Sequence, residues 1–170
     1  MELQDTLRLV HQGLSPYAAE HHAALQIAGD PFDVLEMFFG PVGGLRIAVH
    51  FSGSDVAGED VSEIEHMYPE ALEQIEIIVG TPIGPEAARD WRLVVGRGGR
   101  PGLIEHVQAV RALALAWVFP DDAESLRRLE YQGCEPVTTP DGLNLAAYRL
   151  RFSLHVVVPF GDDVALSLEE

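Results

Sequence analysis

The longest regular pattern in the chain is an alternation of apolar and polar positions between Leu145 and Val158. The even-numbered positions are all apolar, whereas the odd-numbered positions in the middle are polar: Arg149, Arg151, Ser153 and His155. A period of two is typical of a strand with one face on a core and the other toward water or a partner. At roughly 3.3 Å per residue, the pattern predicts a strand roughly 45 Å long.

A turn signal precedes this strand. Pro140 fixes its own φ, and Gly142 accepts a positive one, with Asp141 between them. The stretch before the turn, residues 129–133, also alternates. Together these segments predict a long C-terminal β-hairpin.

Shorter strands are predicted upstream. Residues 45–51 and 75–79 alternate between apolar and polar side chains, 23–27 form a short apolar run, and 91–95 are typical of a short strand. Residues 52–70 and 81–90 lack periodicity and predict long connections, which in compact domains are usually functional or mobile.

Helical spacing predicts two minor helices. Leu3, Leu7 and Val10 indicate a short amphipathic helix from residue 2 to about residue 13, with Gly13 as its stop and Ser15-Pro16 as a break. A second short helix is predicted over 32–39, after an N-cap aspartate and a proline at its first position.

The strongest helical pattern covers residues 101–118, before Pro120. An apolar stripe runs along it at near-ideal spacing: Leu103, Val107, Val110, Ala114 and Trp117. Further apolar residues widen the stripe: Ala109, Ala112, Leu113, Leu115 and Ala116. We therefore expect this helix to be buried on more than one side.

These elements predict an α+β fold. A small mixed or antiparallel sheet packs against one main amphipathic helix, with long loops and the long C-terminal hairpin. We expect one domain over residues 1–160, since 170 residues suit a single core, followed by an acidic tail over 161–170.

Composition narrows the function classes. The formal net charge is −16, from 11 basic and 27 acidic residues, which disfavours binding to nucleic-acid phosphates over most of the surface. No apolar run is long enough to span a membrane, and the N-terminus is not typical of a signal peptide. Cys134 is the only cysteine, so we expect no internal disulfide and a reducing compartment.

The histidines offer weak metal candidates. His21 and His22, with His11 and Glu20, include two adjacent histidines, which on a strand point to opposite sides and rarely bind one ion together. The remaining histidines are scattered singly: His50, His66, His106 and His155. The interpretation we favour for all of them is a solvated side chain, with no metal.

Other candidate motifs are also weak. The glycine-rich stretch 96–102 precedes a helix, but it matches neither phosphate-binding pattern, so Arg97 and Arg100 are better interpreted as partner contacts or solvated residues. The acidic pairs at 121–122 and 162–163 lack calcium-loop spacing, and Cys134 has no evident base beside it. The sequence therefore predicts no enzyme and no cofactor.

Several segments together resemble a known family. These are the helix LIEHVQAVRALALAW, the strand LEYQG, the Pro-Asp-Gly turn and the strand YRLRFSLHVVV, preceded by GPVGGLRIAVHFSG and IEIIVGTP. In this order they are similar to the tail terminator, or tail completion, proteins of tailed bacteriophages, the Gp37-like family of contractile-tail phages. The resemblance covers roughly residues 3–158, and the longer 52–70 and 80–101 segments depart from it.

The resemblance implies a non-enzymatic virion protein, assembled in the bacterial cytoplasm. Six copies would form a ring that caps the head-proximal end of the tail tube, stops its growth and docks the head-side connector. The implied partners are the chain itself, the tail tube protein, possible sheath contacts and the connector, with no membrane and no sequence-specific nucleic acid, although DNA would pass through the lumen.

The long strand also suits strand addition between subunits. Candidate contacts are Arg149, Arg151, His155, Arg97, Arg100 and Asp141. Two alternatives stay open: a head-completion or stopper ring of the neck, and a non-viral α+β binding protein.

Overall fold

The computed structural model describes residues 3–29, 44–56, 70–83, 96, 99, 101–117, 119–120, 126–137 and 145–157. The helices in these ranges are α1 (Leu3–Glu20) and α2 (Leu103–Ala116). The strands are β1 (Ala24–Ala28), β2 (Arg46–Val56), β3 (Glu70–Pro82), β4 (Phe119–Pro120), β5 (Leu126–Arg127), β6 (Glu130–Pro136) and β7 (Leu145–Val157).

Five strands form the main sheet, in the order β1-β2-β3-β7-β6, while β4 and β5 pair with each other. β1 runs parallel to β2, and the other neighbours in the main sheet are antiparallel. The predicted α+β class with a small mixed sheet is confirmed, and the predicted C-terminal hairpin corresponds to β6 and β7. Its predicted turn at residues 140–142 lies outside the described residues.

Three long strands make the centre of the sheet. β3 pairs with β7 over its full length, from Glu70 opposite Val157 to Pro82 opposite Leu145. The apolar positions of β7 face the helices, as the alternation predicts, and Phe152 lies in one row with Ile75 of β3 and Tyr131 of β6.

Both helices pack on this same face, α1 against β1 and β2, and α2 against β3 and β7. The fully or almost fully buried residues there form one core: Val10, Leu14, Ile47, Val49, Ile75, Ile77, Val79, Leu103, Val107, Val110, Ala114, Leu129, Leu150, Phe152, Leu154 and Val156. The predicted stripe of α2 supplies its buried positions, with Trp117 partly buried beside them.

The opposite face, called the outer face here, is also partly buried. Ala28, Ala48, Ile78 and Ala147 form a small second cluster there. His50 and Glu76 are buried on the same face, where they oppose each other in the β2–β3 register. The prediction that His50 is solvated is wrong, since its Nδ1 lies 3.4 Å from the Ala28 carbonyl oxygen.

Two glycines allow irregularities in the sheet. The β2–β3 register shifts between Phe51 and Gly53, and the β6–β7 register shifts between Tyr131 and Gly133. Gly53 has φ 155° and Gly133 has φ 150°, values that a residue with a Cβ rarely adopts. The glycines therefore permit one bulge in β2 and one in β6, while β3 and β7 keep a regular pairing with each other.

α1 is longer than predicted, because neither Gly13 nor Pro16 ends it. Pro16 removes the amide that would bond the Gln12 carbonyl, but both residues are exposed, so the cost of losing that bond is small where water can reach the oxygen. Ser15 Oγ donates to the His11 carbonyl oxygen at 2.9 Å. Ala18, beyond the proline, is buried, and its packing stabilises the continued helix.

A left-handed residue ends α1. His22 has φ 51°, and the Ala23 amide donates to the Ala18 carbonyl oxygen at 2.8 Å while the His22 amide donates to Ala19 at 3.3 Å. This is the Schellman pattern of bonds, and it leaves His21 as the last residue before the reversal.

Other predicted boundaries shift by a few residues. β2 and β3 extend into the predicted 52–70 loop, β3 takes in residues 81 and 82, and α2 ends at Ala116, before Pro120. The predictions for 32–39, 91–95, the acidic pairs and the 161–170 tail lie outside the described residues.

Candidate interaction surfaces

The outer face of β7 carries three of the predicted contact residues. Arg149 Nε lies 3.4 Å from Glu76 Oε2 of β3, and Arg149 Nη1 lies 3.7 Å from Glu135 Oε1 of β6. Arg151 Nη2 lies 3.6 Å from Glu135 Oε2. The result is an alternating row of charges, Glu76–Arg149–Glu135–Arg151, that crosses three strands.

The third residue, His155, has an acidic neighbour too, because its Nε2 lies 3.9 Å from Glu130 Oε2. Between these pairs, Gln132 Nε2 donates to Ser153 Oγ at 2.6 Å. The predicted contact residues of β7 therefore come together on one face, with the two arginines paired to carboxylates and His155 beside a third carboxylate. Arg97, Arg100 and Asp141 lie outside the described residues.

The Glu76–Arg149 pair, at the inner end of the charge row, carries the larger desolvation cost. Glu76 is 8% exposed and Arg149 is 37% exposed in its side chain, so this pair spans the change from interior to surface. Arg149 Nε makes no hydrogen bond despite its distance to Glu76, so the contact is an ion pair without directed geometry. Such a pair adds little by itself, whereas removal of one partner leaves a buried charge.

We expect Arg149→Met to lower the free energy of unfolding by about 1 kcal/mol, because Glu76 would lose its nearest cation; the partial exposure of Arg149 keeps the cost below that of a fully buried pair. Urea unfolding followed by circular dichroism measures the loss. The double variant Glu76→Met/Arg149→Met is expected to regain most of it. A double variant less stable than Arg149→Met would contradict the assigned pairing.

The described structure leaves β7 unavailable for strand addition along most of its length. β3 occupies one edge of β7, and β6 occupies the other edge between Tyr148 and Ser153. The suggestion that β7 itself pairs across subunits is therefore wrong for this segment. The outer strands of the main sheet are β1 and β6, and β6 is interrupted by its bulge and ends in Pro136.

The side of α2 that faces away from the sheet is exposed and mostly apolar. We call it the outward face of α2, and it consists of Ile104, Glu105, Gln108, Ala112, Leu115 and Ala116. Ile104 is 37% and Leu115 is 40% exposed. The prediction that α2 is buried on more than one side is wrong within a single chain. A helix that is apolar nearly all round is usually buried, so this face is unusual for a surface.

His21, from the adjacent pair, and His106, one of the scattered histidines, meet between the helices. Tyr17 Oη of α1 lies 2.7 Å from His106 Nδ1 of α2. The ring centroid of His21 lies 4.4 Å from that of Tyr17 and 5.0 Å from that of His106. His106 is only 9% exposed, so the prediction that it is solvated is wrong.

The electrostatics of this cluster favour neutral side chains. Burial lowers the pKa of the His106 imidazole, His21 lowers it further, and Glu105 raises it. Burial raises the pKa of the Tyr17 phenol, and Glu20 adds to the rise. With both groups neutral, the Tyr17 hydroxyl can donate to Nδ1 when the ring proton of His106 is on Nε2, a bond that protonated His106 cannot accept.

Cys134 lies exposed on β6. Desolvation raises the pKa of its thiol, Arg111 lowers it and Glu135 raises it. A raised pKa makes the thiol a poorer nucleophile at neutral pH. In the described ranges, no group of three or more His, Cys, Asp or Glu side chains is arranged to hold a metal ion.

Neither described helix is long and apolar enough to cross a membrane. No protein-family model and no curated protein matches this chain. Among solved structures, the catalytic domain of the histidine kinase ThkA in a nucleotide-free form aligns with 89% of this chain and 92% of that domain. The sequence identity is 10% and the TM-score is 0.28, values from which no function follows.

Proposed function

We propose that this chain is a structural subunit that assembles with copies of itself, and specifically a tail terminator that forms a ring on the head-proximal end of a bacteriophage tail tube. The resemblance of residues 3–158 to that family supports the specific role. The order of elements also agrees with it: a helix, a short strand, two long strands, the main helix and the C-terminal hairpin.

The observation that carries the self-assembly is the outward face of α2. Four of its six residues are apolar and Glu105 is the charged one among them, while Arg111 beside them is directed over the Tyr131 ring, 5.5 Å from its centroid. In a chain with a net charge of −16, a nearly uncharged apolar strip is where another copy can approach with the least repulsion. A contact that buries Ile104 and Leu115 would also cover the exposed side of α2, as is usual for a helix that is apolar nearly all round.

The charge row on β7 suits a second contact in the same ring. A closed ring with head-to-tail contacts needs two different surfaces on each subunit. Because Arg151 and Glu135 are about half exposed and paired with each other, they can exchange partners with a neighbour at small cost. The acidic net charge also suits a lumen that lets DNA pass without holding it.

We expect Leu115→Glu to separate folding from assembly. The wild-type chain at physiological salt is expected to show the mass of a closed oligomer by size exclusion with light scattering. Leu115→Glu should convert the oligomer to monomer and lower the association constant at least about tenfold, because a charge would enter the buried contact. The monomeric variant should still unfold cooperatively, since Leu115 is 40% exposed in the subunit and the new carboxylate can reach water.

Gln12→Glu is the matched control, since it adds the same charge at an exposed position of α1. This variant is expected to assemble like the wild type. A wild-type chain that stays monomeric at high concentration, alone and with purified tail tubes, would overturn the proposal.

The binding partner distinguishes a tail terminator from a neck stopper and from a non-viral binding protein. Purified tail tubes mixed with the protein and viewed by electron microscopy should carry a ring at one end and stop growing. Binding to portal-bearing heads instead of tubes would identify a neck stopper. Binding to neither, by an assembled or monomeric chain, would favour a non-viral binding protein.

A further inference from the structure

The Tyr17–His21–His106 cluster joins two helix ends of opposite polarity. His21 is the last residue before the chain reverses after α1, and His106 is the fourth residue of α2. In the same turn of α2, the Gly102 amide donates to Glu105 Oε2 at 3.2 Å, which closes the start of the helix. Residues 89 positions apart thus fix the start of α2 to the end of α1.

Protonation of His106 would act against this arrangement in three ways. Its Nδ1 would become a donor, so the Tyr17 hydroxyl would have to turn and accept. A positive charge would enter the first turns of a helix, where the helix dipole opposes it. The charge would also be largely buried and face the His21 ring at 5.0 Å between centroids.

We propose that Tyr17, His21 and His106 form a pH-sensitive latch, which holds the first turn of α2 against the end of α1 and opens when His106 is protonated. The groups of the described chain that face His106 are Tyr17 and His21 from α1 and Glu105 from α2, with Glu20 beside Tyr17. The latch belongs to the single chain and stands whether or not the chain forms a ring.

The direction of the pH effect follows from the lowered pKa of His106. An unfolded histidine titrates near about 6.5, and the folded one titrates below that value. Between the two values the unfolded chain binds more protons, so stability falls as the pH drops. The stabilisation is complete above about pH 6.5, decreases as the pH falls toward the folded pKa, and changes no further below it.

The latch predicts that the melting temperature of the wild type falls more between pH 7.5 and pH 5.0 than that of His106→Asn, by a margin on the order of 3 °C. Asparagine keeps an acceptor near the Tyr17 hydroxyl but does not titrate in this range. Equal pH dependence in the two proteins would overturn the proposal.

A measurement on the wild type keeps the test valid if His106→Asn does not fold. Nitrogen-15 NMR of the imidazole rings should show a neutral His106 with its proton on Nε2 at pH 7.5 and titration below the value of about 6.5 for an unfolded histidine. Amide exchange corrected for intrinsic rates should rise by a factor on the order of ten over residues 103–107 at pH 5. Titration of His106 at or above about pH 6.5, or no local rise in exchange, would contradict the latch.

Discussion

Phe152→Asp is expected to prevent folding. The ring of Phe152 is fully buried between Ile75 and Tyr131, in the middle of the strand that pairs along all of β3. Loss of the ring costs about 3–5 kcal/mol, and an unpaired carboxylate in the same place adds several more. Because domains are stable by only about 5–15 kcal/mol, the sum removes most or all of the folded population.

Circular dichroism and size exclusion of the soluble fraction would measure this loss. The matched control is Ala24→Asp, which places the same charge at an exposed position on β1 and should melt close to the wild type. Phe152→Leu should fold and lose only part of the stability. A Phe152→Asp variant with a cooperative transition near that of the wild type would show that the faces of β7 are assigned incorrectly.

The two faces of β7 were predictable because the alternation of apolar and polar residues along a strand is a local property of its sequence. A period of two needs only neighbouring positions, and the apolar set, Tyr148 to Val156, lies toward the core as predicted. β3 was predicted only in part, because residues 70–74 lack a clear alternation. It is the long antiparallel pairing with β7 that extends β3 to Glu70.

α1 continues past its predicted end because the packing of its buried side outweighs the local effect of the proline. Proline breaks helices on average, but Pro16 sits on an exposed side, while Thr6, Val10, Leu14 and Ala18 form a buried stripe that continues past it. That stripe, at four-residue spacing, was present in the sequence and was the signal that outweighed the proline.

The candidate sites depend on register and topology, which the sequence alone did not supply. Arg149 was predicted to face outward, but its pairing with Glu76 and Glu135 follows from the order β3-β7-β6. Likewise, the contact between Tyr17 and His106 requires α1 and α2 to lie side by side on one face. Isolated histidines therefore looked solvated when viewed one at a time.

Gly13 also has a different role from the one predicted. It lies inside α1 and not at its end, and an added Cβ there would lie 2.6 Å from Trp117 Cε2 and 2.7 Å from Cζ2. The indole is a rigid, partly buried ring that follows α2, so it cannot move aside as a flexible side-chain tip could. The glycine is thus required by the close approach of Trp117 to the backbone of α1.

We expect Gly13→Ala to lower the free energy of unfolding by about 2 kcal/mol. Two effects of opposite sign compete: alanine favours a helix over glycine by about 1 kcal/mol, and overpacking costs up to about 3 kcal/mol. The overpacking wins because distances below 3.0 Å force the indole or the helix to shift. Urea unfolding at pH 7.5 measures the difference directly.

A double-mutant cycle with Trp117→Leu tests the cause. In a Trp117→Leu background the clash is removed, so Gly13→Ala should become neutral or stabilising, a coupling of at least about 2 kcal/mol. Gln12→Ala, one residue away on the exposed side of α1, should change stability by less than about 0.5 kcal/mol. If Gly13→Ala stabilises the wild-type chain, helix propensity decides at this position, and the contact between Trp117 and α1 is looser than the structure shows.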